Sequence, residues 1–195
     1  MVPRRLVPKN GVEYLIRALP RLRERLPEVE VVLVGDGPER GALEELARHL
    51  KVDDLTRFMG GRPHEEMPGL LSSADLVVVP SLMEATSVAA LEAMACAVPV
   101  AASRVGGLPE IVNGETGTLF SPGDPEDLAD RVGDLALQPD LRELGHRARE
   151  RVVERWSNDR LVERHLTIYR ALVEGRQPPS PGGDVPGYGE PEQGE

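Results

Sequence analysis

The chain has 195 residues, 40% of them hydrophobic and 29% charged, and about 174 precede a tail poor in apolar side chains; that suits one domain, which at such a size buries roughly 68–70% of its unfolded surface. A formal net charge of −10 excludes a dominant nucleic-acid role, 3% aromatic content argues against base-stacking platforms, and a single cysteine, Cys96, excludes an internal disulfide framework and a Cys-based zinc site. No apolar run approaches the roughly 18 residues of a membrane span, and the N-terminal MVPRRLVPKN lacks the apolar core of a secretory signal, so cytoplasmic residence is the expectation.

Apolar runs alternate with helical patterns along most of the chain. Val12, Leu15, Ile16, Leu19, Leu22 and Leu26 recur at helical spacing, with Pro20 expected to kink the helix. Residues 29–34 form a β-branched run closed by Gly35-Asp-Gly-Pro38, a buried strand and its turn. A helix over 39–50 places Leu43, Leu46 and Leu50 on one face. A weaker strand near Leu55 to Met59 ends in Gly60-Gly61, and Glu65 to Ser72 is a short helix. Asp75 to Pro80 is the clearest strand. Ser87 to Cys96 is an Ala-rich helix, and Val98 to Ala102 is another strand. A short helix near Pro109 to Val112 and a brief strand at Thr118 to Phe120 follow. The remaining structured residues are helical, with Leu128, Val132 and Leu135, then Leu141, Leu144, Ala148 and Val152, then Leu161, Leu166, Tyr169 and Val173. Cys96 reads as a small buried hydrophobe, and Trp156 and Tyr169 as packing residues.

Strand–helix alternation with near-continuous apolar strands predicts an α/β fold: a doubly wound parallel sheet covered on both faces, with additional helices at the C-terminus. No repeat of 20–50 residues is visible. The expected domain covers residues 1–174. From Gly175 the chain holds six Gly and five Pro with a net charge of −3, an acidic tail expected to be disordered.

Ligands of such sheets bind beyond the carboxyl ends of the strands, so the loop after the clearest strand carries the most information. It reads Pro80-Ser-Leu-Met-Glu84-Ala-Thr-Ser-Val-Ala-Ala-Leu-Glu92, with seven residues between the two glutamates. Thr86 or Ser87 is the expected N-cap, and small neighbours leave room for a group at the helix N-terminus, whose free amides and dipole favour a phosphate. A carboxylate one or two turns inside the helix can accept hydrogen bonds from a ribose diol. The plain alternative has Glu84 starting the helix and Glu92 facing solvent. No Asp-x-Asp triplet occurs, and His49, His64, His146 and His165 are scattered, so no metal site is expected.

The run P-S-x-x-E-A-T-S-x-A-A-L-E-A-M-A, followed by C-A-V-P-V-A-A-S-R-V-G-G-L-P-E-I-V and N-G-E-T-G-T-L-F, resembles the nucleotide-binding, C-terminal half of GT-B-fold retaining glycosyltransferases of the family 4 type. R-L-V-P-K-N-G near the start and V-G-D-G-P-E-R after the second run fit the same resemblance, which spans roughly residues 3–174. It implies a Rossmann-like strand order and a nucleoside diphosphate sugar, UDP- or GDP-linked, as substrate, with no further cofactor. By the same resemblance Glu92 holds the ribose hydroxyls, Glu84 lies near the donor sugar and takes the catalytic place, and Thr86, Ser87 and Val88 meet the diphosphate or sugar hydroxyls. Gly35 and Gly37 turn near the phosphates, the Met59-to-Arg62 loop borders the base with Arg62 beside it, and Gly106, Gly107 and Glu110 shape a further strand-end loop. The family commonly has Arg-Leu-x-x-x-Lys-Gly with both cations on the diphosphate. Here Arg5 matches the arginine, Asn10 stands at the lysine position, and Lys9 precedes it, so Arg5 and Lys9 are the expected pair.

The resemblance covers one half of a two-domain fold, and only Met1-Val2-Pro3 stand where a full first strand should precede Arg5. The chain therefore reads as a C-terminal fragment with its first strand truncated, completed by a separately encoded N-terminal, acceptor-binding half, and peripheral to the inner membrane face once so joined. Three functions follow: a glycosyltransferase half acting with retention of configuration, a nucleotide-binding module without turnover, and a GT-B-fold sugar-nucleotide epimerase fragment.

Overall fold

Six strands and eight helices make up the computed structural model, which describes residues 1–178; the expected tail lies, beyond Pro178, outside the described residues. Strands β1 (Val2–Pro3), β2 (Val31–Val34) and β3 (Thr56–Gly60) form one parallel set in the order β1-β2-β3. Strands β4 (Val77–Val79), β5 (Val100–Ser103) and β6 (Gly117–Phe120) form another in the order β4-β5-β6. Met1 joins them: its ammonium donates to the Leu76 carbonyl at 2.8 Å, and the Val78 amide donates to the Met1 carbonyl at 2.9 Å. Laid side by side, the strands run 3-2-1-4-5-6, the Rossmann order, and the order reverses between β1 and β4. The junction is narrow because β1 holds only two residues. Burial pulls the Met1 ammonium down to about 6, against the opposing pull of Asp75.

Right-handed crossovers in opposite directions from β1 and β4 put helices on both faces. Helix α1 (Val12–Arg25) packs against α2 (Arg40–His49) and α6 (Pro125–Ala136), whereas α3 (Met67–Ser72) packs against α4 (Val88–Ala95). The period of two along the strands divides the core between these layers. Val78 and Ala101 join the cluster that contains Leu15, Leu19, Leu22, Leu33, Phe120 and Leu128, while Val77, Val79, Val100 and Ala102, equally buried, alternate with them. Each fully buried Leu or Phe contributes about 1.5–3 kcal/mol. Helix α1 runs unbroken through Pro20, and its Arg21 forks onto Asp130 of α6 with two contacts of 2.9 Å. Helix α5 (Leu108–Ile111) is a single turn.

Residues 1–149 form one compact unit and those from Glu150 a second, with α7 (Leu141–Trp156) crossing the boundary. In the second unit α8 (Asn158–Val173) is capped by Ser157. Tyr169, expected as a packing residue, is exposed, and so are Leu161, Leu166 and Val173, Val173 to 88%. Cys96 is half-buried rather than buried. Among the described residues no helix is long and apolar enough to cross a membrane.

Candidate functional site

The carboxyl ends of β1 and β4 meet where the strand order reverses, and the loops that follow them are stitched together. After β1 the chain makes a tight turn over Pro8–Asn10 that ends at Gly11, and the Leu82 amide of the β4–α4 loop donates to the Lys9 carbonyl at 2.8 Å. Ser87 is the N-cap of α4: its hydroxyl accepts from the Ala90 amide at 3.3 Å. The amides of Val88 and Ala89, in the first turn, have no carbonyl partner within the helix, which is what an anion there requires.

Arg4 is the residue around which this corner is organised. Its Nη2 donates to Glu84 Oε2 at 2.6 Å, to Ser81 Oγ at 2.7 Å and to Asn10 Oδ1 at 2.9 Å, and its Nη1 lies 3.4 Å from Ser87 Oγ. The Arg4 and Glu84 side chains are 11% and 16% exposed. Ser81, fully buried, donates onward to Glu84 Oε2 at 3.4 Å. Asn10 is 6% exposed and spends its Nδ2 on the Arg5 carbonyl at 2.7 Å. Its amide is thus wholly engaged within the loop, and the place where the resemblance expects a cation is a neutral bracket.

Arg5 and Lys9, the expected pair, are exposed and make no ion pair with another described residue. They line, with Arg4, Val7 and Asn10, an open cavity of about 690 Å³. The structure therefore brings three cations to one cleft of a protein whose net charge is −10.

Gly35 and Gly37 lie against the backbone of the same corner. A Cβ on Gly35 would stand 2.1 Å from the Arg4 carbonyl oxygen, and one on Gly37 would stand 2.2 Å from that of Leu6. Their service here is to let the β2–α2 turn support residues 4–6. Gly106 does the same for the loop after β5: its φ is +52°, and a Cβ would fall 1.6 Å from the Glu84 carbonyl oxygen. The Gly107 amide donates to the Ala85 carbonyl at 3.0 Å, so the 104–107 loop fixes the backbone that carries Glu84. Thr86 and Val88 are exposed at the mouth of this corner, and Glu110 is exposed on α5.

Glu92 stands five residues beyond the cap, roughly 7.5 Å along the α4 axis. Its carboxylate is 33% exposed, and His64 Nε2 lies 3.7 Å from its Oε1. His64 belongs to the loop after β3, which also carries Arg62, itself 4.0 Å from Glu66. The residue that stands beside Glu92 is thus His64, two positions past the 59–62 loop expected to border the base. Sequence reading missed Arg4 and His64. The signal for Arg4 was the pairing of an extra cation at the end of β1 with a neutral residue at position 10. Among the described residues no three His, Cys, Asp or Glu side chains stand together as a metal site would need.

The sequence pattern of the family described as glycosyl transferases group 1 matches residues 1–152. The MMP alpha-(1->4)-mannosyltransferase of Mycolicibacterium hassiacum is 38% identical over 171 residues, covering 86% of this chain and 41% of that protein. The solved sucrose-phosphate synthase from Thermosynechococcus elongatus superposes with a TM-score of 0.79 at 32% identity, covering 89% of this chain and 45% of that one. HepE from Anabaena, solved in complex with UDP-glucose, superposes with a TM-score of 0.76 at 27% identity, covering 89% of this chain and 48% of that one. The chain spans less than half the length of each of these proteins.

Proposed function

The chain belongs to the group 1 glycosyl transferases, whose C-terminal half it represents, and from that premise we propose that it is the donor-binding half of an enzyme that moves a sugar from a nucleoside diphosphate, UDP or GDP, to an acceptor held by a second half, with retention of configuration. The observation that carries this reading is the arrangement around α4. Unpaired amides and the Arg4 guanidinium meet at its N-terminus, Arg5 and Lys9 line the cleft beside Arg4, and a carboxylate stands one and a half turns further along the helix. The first end suits a diphosphate and the second a ribose diol. The likeness to HepE, which was solved with UDP-glucose, supports the same reading.

The chemistry is electrostatic. When the bond between the anomeric carbon and the phosphate oxygen breaks, its electron pair stays on the nucleoside diphosphate, while the acceptor oxygen bonds to that carbon and loses its proton. Cations and helix amides placed beforehand at the departing phosphate stabilise that charge without reorganising. Glu84, held through Oε2 only, keeps Oε1 for a hydroxyl of the donor sugar. Closure against the second half supplies orientation and excludes water. A second half belongs to this reading because this chain spans less than half the length of the relatives.

A second reading is a module that captures the sugar nucleotide without turnover. The relatives named above are transferases and synthases, and none of them supports the epimerase alternative. Titrating the purified chain with UDP and GDP, then measuring donor hydrolysis with and without a supplied N-terminal half, separates the two. Transfer is supported by turnover that appears only when both halves are present. Binding with no turnover in either condition leaves the module.

A further inference from the structure

The cation nearest the N-terminus of α4 is one that neither the motif pattern nor the family resemblance assigns. We propose that Arg4 carries the diphosphate-binding charge that position 10 lacks, with Asn10 as its bracket; the proposal rests on the reading of this cleft as a sugar-nucleotide site.

Arg4 leaves the end of β1 at the point where the strand order reverses, which is where a ligand of such a sheet sits. Its guanidinium spans from that end to the cap of α4, with Nη1 3.4 Å from Ser87 Oγ. Asn10 orients it through a 2.9 Å hydrogen bond and is itself tied to the Arg5 carbonyl. A lysine ammonium at position 10 would stand against the guanidinium, where two like charges repel. Positions 4 and 10 therefore hold one cation between them, and in this chain it is at position 4.

The guanidinium also has donors to spare. Its two Nη2 protons are shared by Asn10, Ser81 and Glu84, whereas its Nη1 makes only the long contact to Ser87. A planar fork with unspent N–H groups matches phosphate oxygens. Glu84 balances the charge on the Nη2 side, which holds the group in place without consuming its remaining donors.

The test is calorimetric titration of the whole chain with UDP and GDP and with the matching nucleosides, uridine and guanosine. For the diphosphate that the wild type binds, Arg4→Ala should raise Kd about ten- to a hundredfold. Nucleoside binding should stay within about twofold, since Arg4 meets only the phosphates. Arg4→Gln, which keeps a planar hydrogen-bonding head but no charge, is measured in parallel and should lose the diphosphate selectively too, so the answer does not depend on Arg4→Ala folding. The double variant Arg4→Ala with Asn10→Lys, which moves the charge to position 10, should recover most of the lost affinity. Asn10→Lys alone should weaken binding. The proposal is overturned if neither Arg4 variant loses diphosphate affinity, if nucleoside and diphosphate weaken equally, or if the double variant recovers nothing. A wild-type chain that binds neither UDP nor GDP overturns the sugar-nucleotide reading itself, and this proposal with it.

Discussion

The two ends of helix α4 are built on different principles. At the N-terminus Arg4, Asn10, Ser81, Glu84 and Ser87 form one hydrogen-bonded cluster, and two neighbouring loops lie against it through glycine backbones. Five residues on, Glu92 has a third of its side chain in solvent and faces one exposed histidine. The cluster is held by its own hydrogen bonds; the carboxylate has that histidine beside it and is otherwise open. A diphosphate has the same shape and charge in every sugar nucleotide, so its site can be fixed in advance. A nucleoside varies in its base, and the proposed reading gives it the open end.

Substitutions that break the built end should therefore cost stability, and those at the open end should cost only binding. The largest effect is expected at Gly106→Val. The side chain would meet the Glu84 carbonyl in a backbone conformation that β-branched residues avoid, with an expected loss of about 3–5 kcal/mol in denaturant unfolding. Gly114→Ala, with nothing within 4 Å, is the control and should be neutral.

The β1–β4 junction beneath Arg4 gives the next effect, for a chain with a free Met1 amine. That amine is at about 6 folded against 8.0 unfolded, so folding favours its neutral form. Below pH 6 it is charged in both states and the full cost of burying it applies; between pH 6 and 8 the cost disappears. Stability should rise by about 2–3 kcal/mol over that window, and acetylating Met1 should remove the rise.

At the open end Glu92→Ala should weaken nucleotide binding by about 1–3 kcal/mol in a calorimetric titration and leave the melting temperature nearly unchanged. Equal losses of both would erase the distinction between the two ends.

The smallest effect lies away from both. Asp127 is held below its ordinary range, chiefly by the Ser121 amide donating at 2.6 Å and then, against the opposing effect of burial, by Arg131. Its contribution is present above the unfolded value of 3.8 and is lost as pH falls through the lower folded value. Because the group is still partly open to solvent, which screens its interactions, Asp127→Asn should flatten the acid limb of the stability curve by only a few tenths of a kcal/mol.

The strands and helices of the first unit were legible because their signals are local. Residues 75–80 and 98–102 are apolar runs with turn residues at their ends, and α1 and α6 carry clean helical periodicity. The same patterns offered Thr86 or Ser87 as the cap, and it is Ser87; the Rossmann order was what the family resemblance implied. The role of Arg4 was not legible, because it depends on which way a side chain leaves a two-residue strand and on partners 77 to 83 residues away. The exposure of Tyr169 was not legible for a related reason: periodicity reports that a helix has an apolar face, not that something covers it.

The central claim is that a sugar nucleotide lies along α4, phosphates at the cap and ribose at Glu92. Crystals soaked separately in UDP and GDP test it most directly. The account predicts diphosphate density between the Arg4 guanidinium and the Val88 and Ala89 amides, with the ribose hydroxyls on the Glu92 carboxylate. Nucleotide density elsewhere, or a ribose turned away from Glu92, would contradict it.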